Sequence, residues 1–263
     1  MVEQQIGAGP GGQAGGVVAK AQEMGLAAAD MKKQIQELFS TEGRAGLEGG
    51  VNKDNIVISR AKLLQGLSEE VKQDARTWQA GMIIDSVTKE PLPKSFIVLA
   101  QMPSSWIYFN PRDKKHKHFI PEFGPGDVVW QSNDPEDPRV KTHGAWKDDE
   151  PPAATEYINF LVYVEGSPIP LVLGFAKTSM QVGKGLYTMI VRSGGAVYTR
   201  KYELSSVSKN KNGNDFFVLQ VRPAGKCTED EVEIGRMLHE AFAPKLRDLK
   251  VHDVDACAEA HGE

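Results

Sequence analysis

The order of the predicted elements constrains the fold most strongly: strand pairs flank one helix, and strands and helices do not alternate regularly along the chain. Residues 156–164 and 169–175 predict one hairpin, because a short turn segment separates two apolar runs of strand length. Residues 198–207 and 216–221 predict a second hairpin, with Asn212-Gly213 as its turn. This order argues against a doubly wound fold and against a (β/α)₈ barrel.

A helix is predicted between the two hairpins, over residues 178–193, and Gly194-Gly195 ends it. Its spacing predicts that the inward side chains are Met180, Gly183, Tyr187, Ile190 and Val191. Further strands are predicted over residues 94–102 and 106–109. We therefore expect a mainly β protein with helices, of the α+β class, built as an OB-like antiparallel barrel with an inserted helix.

Composition excludes several classes of protein. A chain of 263 residues can bury one sizeable core, and its apolar runs, such as residues 169–176, are too short to cross a bilayer. Cys227 and Cys257 do not form a disulfide framework, and the N-terminus does not resemble a secretion signal, so we expect a cytoplasmic protein. The net charge of −4 argues against a histone-like binder, although it allows a local basic groove.

Aromatic and basic side chains are interleaved in two strand-and-loop segments, residues 105–118 and 198–211. Flat rings can stack on bases while cations neutralise phosphates, a combination typical of single-strand binding. The alternative, that the rings belong to the core and the cations to solvated loops, stays open. The candidate nucleic-acid-binding residues are Trp106, Tyr108, Arg112, Lys114, Lys115, Lys117, Tyr198, Arg200, Tyr202, Lys209 and Lys211.

The chain divides into four predicted parts. We expect a disordered Gly-rich tail over residues 1–16, a helix and linker over 17–55, an OB-like nucleic-acid-binding domain over 56–243, and a polar tail over 244–263. A capping box at Thr228–Glu231 predicts the start of the last helix of the domain. Residues 111–154 form a long, proline-rich and charged excursion, which in a compact domain is usually functional or mobile.

Signals for catalysis and for metal binding are weak. The G-x-G-x-x-G pattern at residues 7–12 follows no predicted strand, and the P-loop pattern does not occur. His116 and His118 have no cysteine or carboxylate at ligand spacing. We therefore predict no catalytic residue, metal or cofactor. Two alternatives stay open: a virion or assembly protein that uses the aromatics as protein contacts, and a metal-dependent nuclease that uses Asp127, Asp134 or Asp137.

Four stretches carry a resemblance to a known family: RAKLLQGLS at residues 60–68, WIYF at 106–109, LVLGFAKTS at 171–179, and YEL at 202–204 with NGNDFF at 212–217. Over about residues 56–243, the chain resembles bacteriophage-encoded single-stranded-DNA-binding replication proteins of the OB-fold type. The resemblance implies a non-catalytic protein that coats the displaced strand during replication or recombination of the viral genome, in the cytoplasm of the infected bacterium.

The resemblance also implies partners: single-stranded DNA and replication proteins of the same phage, with no membrane contact. We expect the N-terminal helix to serve self-association, which would make the protein a homo-oligomer. The C-terminal tail departs from the pattern of these proteins, which commonly end in a strongly acidic segment with a terminal aromatic residue. Here Asp253, Asp255, Glu259 and Glu263 are spread over the tail, and the chain ends in His261-Gly262-Glu263, which puts recruitment through the tail in doubt.

Overall fold

A computed structural model of the chain describes residues 28–38, 57–147, 150–211 and 213–246. The strands are β1 Ala61–Leu63, β2 Ile83–Asp85, β3 Ser95–Gln101, β4 Ser105–Phe109, β5 Val128–Ser132, β6 Ala154–Val164, β7 Leu171–Ala176, β8 Arg200–Lys211 and β9 Asn214–Lys226. The helices are α1 over residues 28–38, α2 Glu69–Gln73, α3 Pro138–His143, α4 Met180–Ser193 and α5 Glu229–Phe242. β1 and β2 form a small separate sheet, and the other strands form one antiparallel sheet of seven strands.

Strand β6 organises the large sheet. Its residue Val162 pairs with Val98 of β3 and with Leu171 of β7, so these two strands lie on opposite edges of β6. β4 continues along the same edge as β3, because Tyr157 of β6 pairs with Ser105. Beyond β3 the sheet continues into β8 and β9, and beyond β4 it continues into β5.

Helices cover both faces of the central strands. Leu186 of α4 is buried on one face in a cluster that includes Phe160. α1 and α5 cover the other face, where Leu238 is buried in a cluster that includes Ile35 and Leu161. Successive side chains of a strand point to opposite faces, so neighbours such as Phe160 and Leu161 belong to different clusters. Burial on both faces explains why β3 and β6 are almost continuously apolar.

The predicted closed barrel is wrong, because the outer strands of the described sheet, β7 on one side and β5 and β9 on the other, do not pair with one another. A closed barrel turns one face of its sheet inward, whereas here each face of the central strands packs against helices. The broader prediction of an α+β fold with antiparallel strands is confirmed.

Helix α4 begins and ends close to its predicted bounds, and Gly194 with φ of +63° follows it. The predicted inward face is wrong in part. Tyr187 and Val191 are 46% and 61% exposed, while Leu186 is fully buried. At 100° per residue, the buried stripe runs through Gly183 and Leu186, about one residue away from the predicted one.

The remaining local predictions have mixed outcomes. The second hairpin is confirmed as β8–β9, and its strands are longer than predicted. The capping box is confirmed, since Thr228 Oγ1 accepts from the Glu231 N–H and the Glu231 side chain accepts from the Thr228 N–H. α1 confirms a helix within residues 17–39, and its inner face is buried on the sheet. Residues 1–27, 39–56 and 247–263, which include the predicted tails and linker, lie outside the described residues.

The excursion over residues 111–154 contains β5 and α3. Buried Asn110 anchors its first part, because its side-chain amide donates to the carbonyl oxygens of Ile120, Phe123 and Gly124. Ring contacts of Trp130 and His143 with Tyr108 anchor its second part. Among the described residues, no helix is both long and apolar enough to span a membrane.

Candidate nucleic-acid interface

An open groove of about 1590 Å³ brings together segments that are far apart in the sequence. They are the basic loop, residues 112–118, the tip of the β8–β9 hairpin, and the segment that follows α3. The groove-lining residues that come from these segments are His116, Lys117, His118, Trp146, Glu150, Lys211 and residues 213–217. The two segments that the sequence predicts for nucleic-acid binding therefore meet at one groove, although only part of each lines it.

The lining of the groove carries a small surplus of positive charge. The basic lining residues are Arg60, Lys62, Lys117, Lys177 and Lys211, and the acidic ones are Glu150, Glu156 and Asp215. Lys62 is buried, and its charge is neutralised by Glu70 at 2.8 Å. Without Lys62, four basic residues remain against three acidic ones in the lining, a surplus of one positive charge, whereas the whole chain has a net charge of −4.

Trp146 presents the most exposed large apolar side chain of the described residues, at 69%. It lines the groove together with Phe216 and Phe217, which are half-buried. Sequence reasoning missed all three as binding candidates. The available signal was the position of the two phenylalanines beside the basic hairpin turn; around Trp146, Lys147 is followed by three acidic residues, so the local sequence gives no such signal.

Two of the four aromatic residues predicted for base stacking lie in the core. Tyr202 is 2% exposed, with its ring centre 5.7 Å from that of Phe96. Tyr108 is 6% exposed, and its hydroxyl donates to the His118 carbonyl oxygen at 2.9 Å. Burial raises the pKa of Tyr108. Rings this deeply buried cannot stack on bases, so the predicted exposure of these two side chains is wrong.

Tyr198 and Trp106 are half-buried and are not among the lining residues of the groove. The Tyr198 ring lies 5.5 Å from that of His239 and belongs to the cluster under α5, whereas Tyr202 belongs to the cluster under α4. The predicted strip of Tyr198, Arg200 and Tyr202 is therefore wrong as a single exposed surface. Its residues are divided between the two faces because a 3-10 turn over Val197–Thr199 precedes β8.

Most of the basic residues predicted for phosphate contacts are exposed to solvent. Arg112, Lys114, Lys115, Lys117, Lys209 and Lys211 are exposed, and Arg200 is half-buried. Lys117 pairs with both carboxylate oxygens of Glu150, on a segment 33 residues later in the chain. The Lys117 ammonium, through its hydrogen bond and charge, lowers the pKa of Glu150, and the nearby His118 and His116 add to this effect. The basic loop is thus held to the segment that carries Trp146.

Arg60 forms part of the inner lining of the groove and is 6% exposed. Its Nη1 donates to Asn159 Oδ1 at 3.3 Å, and its guanidinium lies 5.9 Å from the centre of the Tyr157 ring. Gly174, the cross-strand partner of Asn159, makes this arrangement possible, because a Cβ there would lie 3.3 Å from Arg60 Nη1. Asn159 is fixed in turn by its hydrogen bond to Ser105 Oγ at 2.8 Å.

The carboxylates of the nuclease alternative serve local structure. Asp127 accepts from the Gly124 N–H, and Asp134 accepts from the Glu136 N–H. Asp137 caps α3 and binds the Arg139 guanidinium with both oxygens, and these hydrogen bonds lower the pKa of Asp137. Among the residues that the structure describes, no group of three or more His, Cys, Asp or Glu side chains is arranged to hold a metal ion.

Residues 25–245 match the model of the family described as Pam3 phage gp34-like protein. The chain belongs to the Pam3 phage gp34-like family. The matched range of this gp34-like protein includes the whole described sheet and every residue that lines the groove. Membership identifies it as a bacteriophage protein. No curated protein and no solved structure matches the chain.

Proposed function

We propose that this gp34-like protein binds single-stranded DNA without strong sequence preference, in the replication or recombination of its phage. One observation carries the proposal: the basic loop, the basic hairpin tip and the exposed Trp146 meet at one open groove. Ring faces and cations along a groove provide the two interactions that single strands need, and neither depends on base identity.

The proposed roles differ in part from those predicted from the sequence. Bases stack on Trp146, with Phe216 and Phe217 as further ring surfaces in the groove. Phosphates contact cations of the basic loop and of the hairpin tip, namely Arg112, Lys114, Lys115, Lys117, Lys209 and Lys211. Tyr108 and Tyr202 support the fold from within the core and do not contact the strand.

Fluorescence anisotropy with labelled oligo(dT), at low and moderate salt, tests the proposal. One stacked base is worth about 1–3 kcal/mol, so Trp146→Ala should weaken binding by about 5- to 150-fold. Tyr187→Ala is the matched control, because Tyr187 is also an exposed aromatic residue but lies on α4 outside the groove lining. Its affinity should equal that of the wild type.

Each alternative gives a different result in the same experiment. No binding at micromolar protein would refute the proposal. Self-association that is insensitive to salt, without DNA affinity, would favour an assembly protein. Magnesium-dependent cleavage of the oligonucleotide, abolished by Asp127→Ala or Asp137→Ala, would favour the nuclease.

A further inference from the structure

The side chain of Gln65 pairs with the backbone of Phe217 in the way that a neighbouring strand would. The Phe217 N–H donates to Gln65 Oε1 at 2.8 Å, and Gln65 Nε2 donates to the Phe217 carbonyl oxygen at 2.9 Å. A primary amide carries both a donor and an acceptor, so it can reproduce the paired hydrogen bonds of a strand. The two residues are 152 positions apart in the sequence.

Phe217 lies in a two-stranded arm, which we define as residues 205–211 and 213–220. β8 pairs with β3 only through Lys201–Glu203 in the described register, and the arm extends beyond this point. A two-stranded hairpin by itself is only marginally stable in water. The position of the arm therefore depends on contacts with the rest of the protein.

Leu219, near the base of the arm, is buried in the cluster under α4, whereas closer to the tip the contacts of Gln65 belong to a set from the segment around β1 and β2. Ser206 Oγ donates to the Gly81 carbonyl oxygen at 2.5 Å. The Phe217 ring lies against Gly81, where a Cβ would be 2.5 Å from a ring carbon. Gln65 itself is held in a turn, because its backbone N–H donates to Ser68 Oγ at 2.8 Å. The amide therefore reaches the arm from a fixed backbone.

The tip of this arm carries Lys209 and Lys211 and reaches the groove. We propose that Gln65 is a positioning residue for DNA binding, which holds the tip in place before the strand arrives. The inference rests on the proposed function. A tip that is already ordered does not have to lose conformational freedom on binding, and such preorganisation increases affinity. The backbone of Phe217 forms hydrogen bonds with both the oxygen and the nitrogen of the Gln65 side-chain amide, so Gln65 acts through Phe217.

The first test requires no DNA. Gln65→Met keeps the length of the side chain but removes both hydrogen-bonding groups. We expect amide hydrogen exchange to accelerate more within the arm than in the rest of the protein. Gln131→Met is the control, because Gln131 is an exposed glutamine on β5, outside the groove lining. Unchanged exchange in the arm of Gln65→Met would overturn the inference, whatever the protein binds.

The second test measures oligo(dT) affinity in a double-mutant cycle with the tip variant Lys209→Ala/Lys211→Ala. We expect Gln65→Met alone to weaken binding at least about fivefold through the added ordering cost. In the tip variant, the same change should have little further effect, since Gln65 acts through the tip. An unchanged affinity of Gln65→Met, or a loss of equal size in both backgrounds, would refute the positioning role. Absence of binding by the wild type would instead refute the proposed function itself.

Discussion

Two glycines of α4, only two positions apart, should respond to the same substitution with opposite signs. Gly183 lies on the sheet, where an added Cβ would be 2.7 Å from Phe175 Cβ and 2.9 Å from its Cγ. Gly185 is exposed, and an added Cβ there would have no heavy atom within 4 Å. Alanine is favoured over glycine inside a helix by about 1 kcal/mol, and this gain applies equally to both positions.

The contact with Phe175 decides the difference. Carbon atoms of neighbouring side chains are normally about 3.5–4.0 Å apart, so Gly183→Ala forces α4 or Phe175 to move by about 1 Å. Overpacking of this kind costs about 1–3 kcal/mol. The clash involves the Cβ of Phe175, which cannot rotate away. We therefore expect Gly183→Ala to lower the free energy of unfolding by about 1 kcal/mol, and Gly185→Ala to raise it by a similar amount.

Urea denaturation followed by circular dichroism measures both variants under identical conditions. The expected separation of about 2 kcal/mol exceeds the usual error of a comparison at constant m-value. Similar stabilisation by the two alanines would refute the position of α4 on the sheet. A lower m-value in one variant would indicate a less compact native state or a non-two-state transition, so the m-values are compared first.

Three further predictions concern pH, the core and the groove. Burial alone would raise the pKa of Glu231, but hydrogen bonds from Lys201 and from the capping box outweigh it and lower the pKa below its ordinary value of 4.5. The resulting stabilisation is complete above the pKa of Glu231 in the unfolded state and is lost as the pH falls through its lower pKa in the folded state. Glu231→Gln should therefore reduce the loss of stability below pH 5, measured by urea titrations. Tyr202→Leu should lower the urea midpoint and leave the oligo(dT) affinity of the folded protein unchanged, because the ring is buried; a weaker affinity would restore Tyr202 as a stacking residue. Glu150→Gln should release Lys117 for a phosphate and steepen the salt dependence of log K by about 0.7; an unchanged slope in anisotropy titrations would contradict this competition.

Local sequence patterns predicted most of the strands and helices, but they did not predict which elements contact one another in the fold. Apolar runs predicted strands β3, β6 and β7, and the pair Gly194-Gly195 predicted where α4 ends. The barrel prediction failed because closure depends on what covers each face of the sheet. In β6, Phe160 and Leu161 look equally apolar in the sequence, although each faces a different helical layer.

The structure brings together the two segments of the predicted site, but it places several of the predicted side chains outside the groove. The basic loop and the hairpin tip both line the groove. Their charges predicted that they would be exposed, but not that they would lie close together. The aromatic residues of the strands were assigned to the wrong environment, since rings such as Tyr202 are equally compatible with a core and with a binding surface. Trp146 follows α3 in irregular structure, where no periodicity indicates which side chains face the groove.

Because helices cover both faces of β3 and β6, sequence changes in these strands and in the exposed loops should have different consequences. Most side chains of these strands are buried, and only the end of β6 at Ala154–Tyr157 lines the groove. Substitutions in the buried part are constrained by volume and, at Asn159, also by its buried hydrogen bonds. Exposed loops, such as the basic loop and the hairpin tip, tolerate changes in charge and length better than the core does. Under the proposed function, changes in these loops would therefore alter the affinity for DNA and its salt dependence while the core of the protein stays the same.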